Sequence, residues 1–155
     1  MPLVAATGRL GLVAPIVLRS LVADHNYKHF ARRDAPVWER WIALHAQEYL
    51  GVCYDVAVGG LPAPDDEATE NERRAWQYQT ALKVDAFVIG ADRALVIEVR
   101  PWATVSALGS ALTYAMILDR AQVSPLPLTP AVVCEGMQVD VRWACDKLGV
   151  EVFEV

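Results

Sequence analysis

The chain has no excess of positive charge: 14 lysines and arginines stand against 19 aspartates and glutamates, for a net charge of −5. That balance argues against a protein that coats nucleic acid through bulk electrostatics, although a local basic patch remains compatible with an acidic chain. C-x-x-C spacing is also missing. Cys53, Cys134 and Cys145 are odd in number and two of them sit in strand-like apolar runs, so they read as buried, reduced thiols of a cytosolic protein. His25 and His29 have the i, i+4 spacing of a helical metal site, but no Cys or carboxylate motif completes it.

Long uncharged apolar runs are lacking too. The segment up to about Val22 is apolar, yet Arg9 and Arg19 interrupt it well short of the ~20 residues needed to span a bilayer. It has neither the positive start nor the clear small-residue cleavage site of a signal peptide. Packing on the core or docking on a partner are the roles left to it, and no membrane association is expected. A G-x-G-x-x-G nucleotide loop, a Walker loop, a G-x-S-x-G elbow and an H-E-x-x-H helix are all absent, which removes the enzyme classes built on them. There is no internal repeat.

What is present suffices for one folded domain: 155 residues, 54 % of them apolar. Residues 1–34 read as an apolar N-terminal arm and 35–155 as the domain. Asp34, Ala35 and Pro36 make a helix start, and Trp38, Trp41, Ile42, His45 and Tyr49 then form one helical stripe ending at Gly51. Val52 to Val58 is a strand closed by Gly59-Gly60. The acidic stretch Asp65, Asp66, Glu67, Glu70 and Glu72, partly offset by Arg73 and Arg74, reads as a solvated loop or short helix. Leu82 to Ile89 and Ala94 to Val99 are strands joined by the turn Gly90-Ala91-Asp92-Arg93.

Thr104 to Arg120 is a helix with an apolar face of Leu108, Leu112, Ala115 and Leu118 or Met116, and its small residues suggest close packing on a sheet. After the linker Ser124-Pro125-Leu126-Pro127 come a strand at Thr129 to Cys134, a helix at Val139 to Leu148 closed by Gly149, and a last strand at Val150 to Val155. The order α-β-β-β-α-β-α-β implies an α/β fold with a mixed sheet and helices on both faces.

Strand side chains alternate, so Glu98 and Arg100 share one side while Val99 packs on the other. A hairpin symmetric about the Ala91–Asp92 bond places Asp85 opposite Glu98. Facing carboxylates repel, and two resolutions are open. A divalent cation, Mg²⁺ or Mn²⁺, bound by Asp85 and Glu98 removes the conflict and can activate water towards a phosphodiester. Alternatively Arg100 neutralises both acids in a salt-bridge cluster without metal.

Val84-Asp85-Ala86-Phe87, Val96-Ile97-Glu98-Val99-Arg100 and the helix with Ala111-Leu112-Thr113-Tyr114-Ala115 resemble the core of the PD-(D/E)xK nuclease superfamily, particularly its Holliday-junction-resolvase-like members. The similarity covers about residues 37 to 155 in element order. It implies a restriction-endonuclease-like α-β-β-β-α-β core, with Asp85 and Glu98 as metal ligands and Arg100 in the place of the motif lysine. It also implies a site role for Glu39, because resolvase-related members often add a glutamate from the first helix.

Two positions depart from that pattern: the lysine is Arg100, and Ser110 stands four residues before Tyr114 where a glutamine is common. Arginine is a permanently charged planar fork suited to clamping phosphate or carboxylate, whereas lysine can contact the nucleophilic water. The exchange favours binding over turnover without proving inactivity, since the lysine position varies among active members.

Lys28, Arg32 and Arg33, with Arg73 and Arg74, either border a nucleic-acid groove or are solvated surface charge. Two functions are therefore expected. One is a nuclease-fold domain with weakened or lost catalysis, serving as a structural or adaptor subunit of a nucleic-acid-handling assembly, by analogy with phage head-to-tail connectors. Protein partners or further copies would be engaged through the arm, in the cytoplasm or as part of a virion. The other is an active Mg²⁺-dependent DNA endonuclease.

Overall fold

The fold is given by a computed structural model that describes residues 17–23, 27 and 30–155. Asp34 precedes α1 (Ala35–His45), which has proline in its first turn and buries Val37, Trp38, Trp41 and Ile42. The helix stops at His45, earlier than its apolar stripe suggests. A 3-10 turn (Ala46–Glu48) follows, and the Leu50 amide is recruited by the Ile89 carbonyl at 2.7 Å. Tyr49 thus lies beyond the helix, still packed on Trp41 with ring centroids 5.5 Å apart.

β1 (Gly51–Val58), β2 (Leu82–Ile89) and β3 (Ala94–Val99) form an antiparallel meander, with α2 (Glu70–Thr80) inserted between the first two. The chain then runs through β4 (Trp102–Ala103), α3 (Val105–Arg120), β5 (Leu128–Cys134), β6 (Gly136–Met137), α4 (Val139–Leu148) and β7 (Glu151–Glu154). The main sheet has the order β1-β2-β3-β5-β7; β5 is parallel to both β3 and β7, while β4 and β6 make a separate parallel pair. The fold is the expected α/β architecture: a mixed five-stranded sheet with flanking helices. Parallel neighbours require crossovers, and α3 and α4 supply them.

One sheet face packs on α1 through Ala86, Val88, Leu95, Ile97, Val99 and Val133. There Trp38 and Trp41 stack at 4.8 Å, and the Trp38 indole N–H donates to the Tyr54 hydroxyl at 2.9 Å. The opposite face packs on α3 and α4. Ala107, Ala111 and Ala115 are buried with Leu118, which lets the helix lie close to the strands, whereas Met116 points to solvent. Gly149 ends α4 in the left-handed conformation that glycine adopts without a Cβ penalty.

α2 is an 11-residue helix, so of the loop and the short helix open from the sequence the helix is formed. Thr69 and Glu72 form a reciprocal capping box, and Arg74 pairs with Glu70 one turn away. It buries none of its residues, so local capping and ion pairing hold it more than packing does.

The described part of the arm packs on the domain. Arg19 exchanges two main-chain hydrogen bonds with Val52, at 2.8 and 3.0 Å, and Leu21 and Phe30 join the core under α1. His25, His29 and Lys28 lie outside the described residues, so the histidine-pair reading and part of the basic group fall there. The three cysteines are buried and unbridged. No described helix is long and apolar enough to cross a membrane.

Candidate functional site

The hairpin has the symmetric register: Ala86 faces Ile97, Phe87 faces Val96, Val88 faces Leu95 and Ile89 faces Ala94. The regular ladder stops at Ala86, one residue short of Asp85. There the Asp85 side chain takes over from the backbone, accepting a hydrogen bond from the Val99 amide at 2.9 Å through Oδ2. Asp85 is thereby held at the carboxyl end of β3, whose other neighbour is the parallel strand β5. Crevices outside such strand ends are where α/β sheets commonly place their sites.

Glu98 and Arg100 lie on one side of β3, as alternation requires, while Val99 is fully buried in the core beneath α1. The Arg100 main chain is fixed by its amide bond to the Val133 carbonyl at 3.0 Å. Its guanidinium gathers the acids: Nη2 pairs with Glu98 Oε1 at 2.5 Å, and Nη1 with Asp85 Oδ2 at 3.2 Å and Asp34 Oδ2 at 3.6 Å. Nη1 also donates to the Val99 carbonyl at 2.5 Å. Three carboxylates from three parts of the chain therefore converge on one arginine.

Asp34 is the residue that sequence analysis assigns only to the helix start. It occupies the N-cap position of α1 but makes no side-chain cap hydrogen bond. Its carboxylate turns to Arg100 instead, and it is 4 % exposed, with Oδ1 meeting no hydrogen-bond donor. Glu39 stands further along α1, half-buried, and is not among the acids paired with Arg100. On the α3 side, burial raises the Tyr114 phenol above its usual pKa, and the charges of Glu98 and Asp85 push the same way, while Ser110 tends to lower it.

The electrostatics follow from burial. Glu98 is 2 % exposed, and its carboxyl is pushed up to about 8, first by loss of solvent and then by the neighbouring Asp85 and Asp34 charges; Arg100 pulls the other way. Burial likewise raises Asp85, against the opposing pull of the Val99 amide and Arg100. An excess of buried carboxylate over cation favours retention of a proton in the cluster at neutral pH.

As arranged, these residues do not fit a Mg²⁺ or Mn²⁺ ion. Among the described residues no group of three or more His, Cys, Asp or Glu side chains is set to hold a metal. The guanidinium stands where the acid side chains converge. The ion pairs of the second resolution are present, made by Arg100 with acids that are buried at Glu98 and Asp34 rather than spread over the surface.

The basic residues of the first loop-helix insertion are used locally. Arg73 donates to the Asp66 and Ala68 carbonyls at 2.6 and 2.8 Å, and Arg74 pairs with Glu70. Arg32 and Arg33 are exposed. Compared with known proteins, the chain matches no family model, no curated protein and no solved structure.

Proposed function

We propose that the chain is a nuclease-fold domain of the PD-(D/E)xK kind whose catalysis is weakened or lost, and that it serves as a structural or adaptor subunit of a nucleic-acid-handling assembly. The observation that carries this reading is the position of Arg100. A nuclease of that kind needs its strand carboxylates open to a divalent cation and to water. Here a permanently charged guanidinium lies 2.5 Å from Glu98 and 3.2 Å from Asp85, so part of the charge that a metal would balance is already offset by an internal cation.

The order of elements supports the same reading. With α2 inserted between β1 and β2 and the short β4 between β3 and α3, the chain runs α1, β1, β2, β3, α3, β5, the element order of the motif's α-β-β-β-α-β core, with the aspartate on β2 and the E-x-R at the end of β3. A structural subunit needs a surface for its neighbours, and the apolar arm provides it. Setting and location, whether cytoplasm or virion, follow from this reading as proposals.

The test is incubation of supercoiled plasmid with the protein in Mg²⁺ or Mn²⁺, beside Asp85→Ala. Nicking by the wild type no greater than by the variant is the expected result. Metal-dependent nicking that disappears in Asp85→Ala would establish the active endonuclease instead. The structural role is read separately from the mass of the assembly in solution, which deletion of residues 1–22 should reduce; an unchanged mass would count against it.

A further inference from the structure

Four large apolar side chains lie exposed where β4 and β6 run into their helices: Trp102 at 60 %, Val105 at 69 %, Val139 at 82 % and Trp143 at 63 %. The parallel register brings them together. Trp102 is paired with Gly136, and three residues beyond each of these, Val105 and Val139 are the first residues of α3 and α4. The Trp102 ring lies over Gly136, where an added Cβ would meet its Cζ3 at 2.8 Å, so this side chain bridges the two short strands. Trp143 follows Val139 by one turn on the same face of α4, away from the face on which Val141 and Cys145 enter the core. None of the four belongs to a core cluster. Contiguous exposed apolar surface of this kind is the mark of an interaction site.

The other end of the molecule supplies a matching segment. At least sixteen residues precede Val17, and they include Leu10, Leu12, Val13 and Ile16, with no acid and with Arg9 as the only charged side chain. The chain enters the described domain at one edge of the sheet, where Val17 and Leu18 are exposed and Arg19 is held by its two bonds to Val52 of β1. α4 packs on β7, at the opposite edge. Four strand spacings, about 19 Å, separate those edges. Sixteen extended residues reach roughly 50 Å, well beyond the width of one sheet.

We infer that the patch of Trp102, Val105, Val139 and Trp143 receives residues 1–16 of a second copy of this chain. The inference rests on the proposed reading of a structural subunit and deepens it by naming the surface that takes the arm. An apolar segment that sets out from β1 with this reach suits the α4 side of a neighbour. Its leucines and valines cover the indoles and exclude water from them. Asp140, exposed beside Val139, offers Arg9 a counter-charge. Each copy then both gives an arm and receives one.

The experiment uses the full chain throughout. Mass in solution is measured by light scattering across a dilution series for the wild type, Val139→Ser/Trp143→Ser and Leu10→Ser/Leu12→Ser. Both variants should dissociate at concentrations at least tenfold higher than the wild type. Val139 and Trp143 are exposed, so the patch variant should melt within about 2 °C of the wild type. In parallel, a chain carrying Leu10→Cys is mixed with a differently tagged chain carrying Val139→Cys and treated with a flexible bismaleimide; the three native cysteines are buried. Cross-linking between the two tags should exceed by at least tenfold that obtained with Met116→Cys, exposed on α3 about three turns beyond Val105. A chain carrying both Leu10→Cys and Val139→Cys reports closure of the arm on its own domain.

An oligomer that survives the patch variant would overturn the inference, and its dissociation in the arm variant would leave the structural-subunit reading standing. Cross-linking confined to the doubly substituted chain, within one molecule, would overturn the second copy as the occupant. A wild type that stays monomeric at every concentration would overturn both the inference and the reading on which it rests.

Discussion

The Val99 main-chain amide donates to Asp85 Oδ2 at 2.9 Å, so a side chain of β2 completes the ladder of β3 where the main chain of β2 no longer does. The same oxygen accepts from Arg100 Nη1 at 3.2 Å. Asp85 is thus a structural fastener as well as a member of the acid cluster, and the two roles are separable by substitution.

Asp85→Ala should lower stability by about 2–3 kcal/mol, because it leaves a buried amide unpaired and removes one acid from the arginine. Asp85→Asn should cost less, since its amide oxygen can still accept from Val99. Urea unfolding of both variants measures the difference. Equal losses would mean that the charge, not the hydrogen bond to the strand end, is what the fold uses.

Glu98 makes stability depend on pH in a direction opposite to that of an ordinary salt-bridged carboxylate. Its folded-state pKa, about 8, lies above that of an unfolded glutamate, so the native state binds this proton more tightly. The resulting stabilisation is complete below the unfolded value and is lost as pH rises towards 8. Glu98→Gln imitates the protonated acid and escapes the loss. Melting temperatures taken in EDTA should therefore move in the variant's favour between pH 5 and pH 8, by on the order of 5 °C. A constant difference across that range would show that Arg100 keeps Glu98 ionised throughout.

How much of this was legible in the sequence differs from residue to residue for physical reasons. The hairpin was legible because strand alternation and a four-residue turn leave few registers, and so Asp85, Glu98 and Arg100 meet as expected. The mixed sheet followed from the order of elements. Asp34 was not legible: aspartate before Ala-Pro is the usual helix cap, and only the packing of α1 across the sheet turns its carboxylate to Arg100 instead. α2 carried a signal in Thr69-Glu70-Asn71-Glu72, a capping box half-hidden by the run of acids around it. The early end of α1 depends on the Leu50 bond to β2, a long-range contact with no local trace.

On the other side of the sheet, Trp38 is wholly buried and its indole N–H has the Tyr54 hydroxyl as acceptor. Tyr54→Phe removes the acceptor while keeping the ring, and should cost about 1–2 kcal/mol by orphaning the indole donor. Trp38→Phe combined with Tyr54→Phe should cost less than the sum of the two single changes, since no donor is then left without its partner. Additive losses in denaturant unfolding would mean that the bond contributes nothing beyond packing.

The helix that buries nothing gives the sharpest separation of local from global stability. Thr69→Ala deletes the hydroxyl that accepts from the Glu72 amide, together with the side-chain bond to Glu72, at a local cost of about 1 kcal/mol. Because α2 shares no buried residue with the core, this loss should stay within residues 70–80. Hydrogen exchange should accelerate several-fold at the amides of α2 while those of β2 and β3 keep their protection and the melting temperature moves by less than about 2 °C. A matching loss of protection in the sheet would show that α2 opens with the whole domain. Its capping box would then belong to the cooperative unit that carries the Asp85–Arg100 cluster.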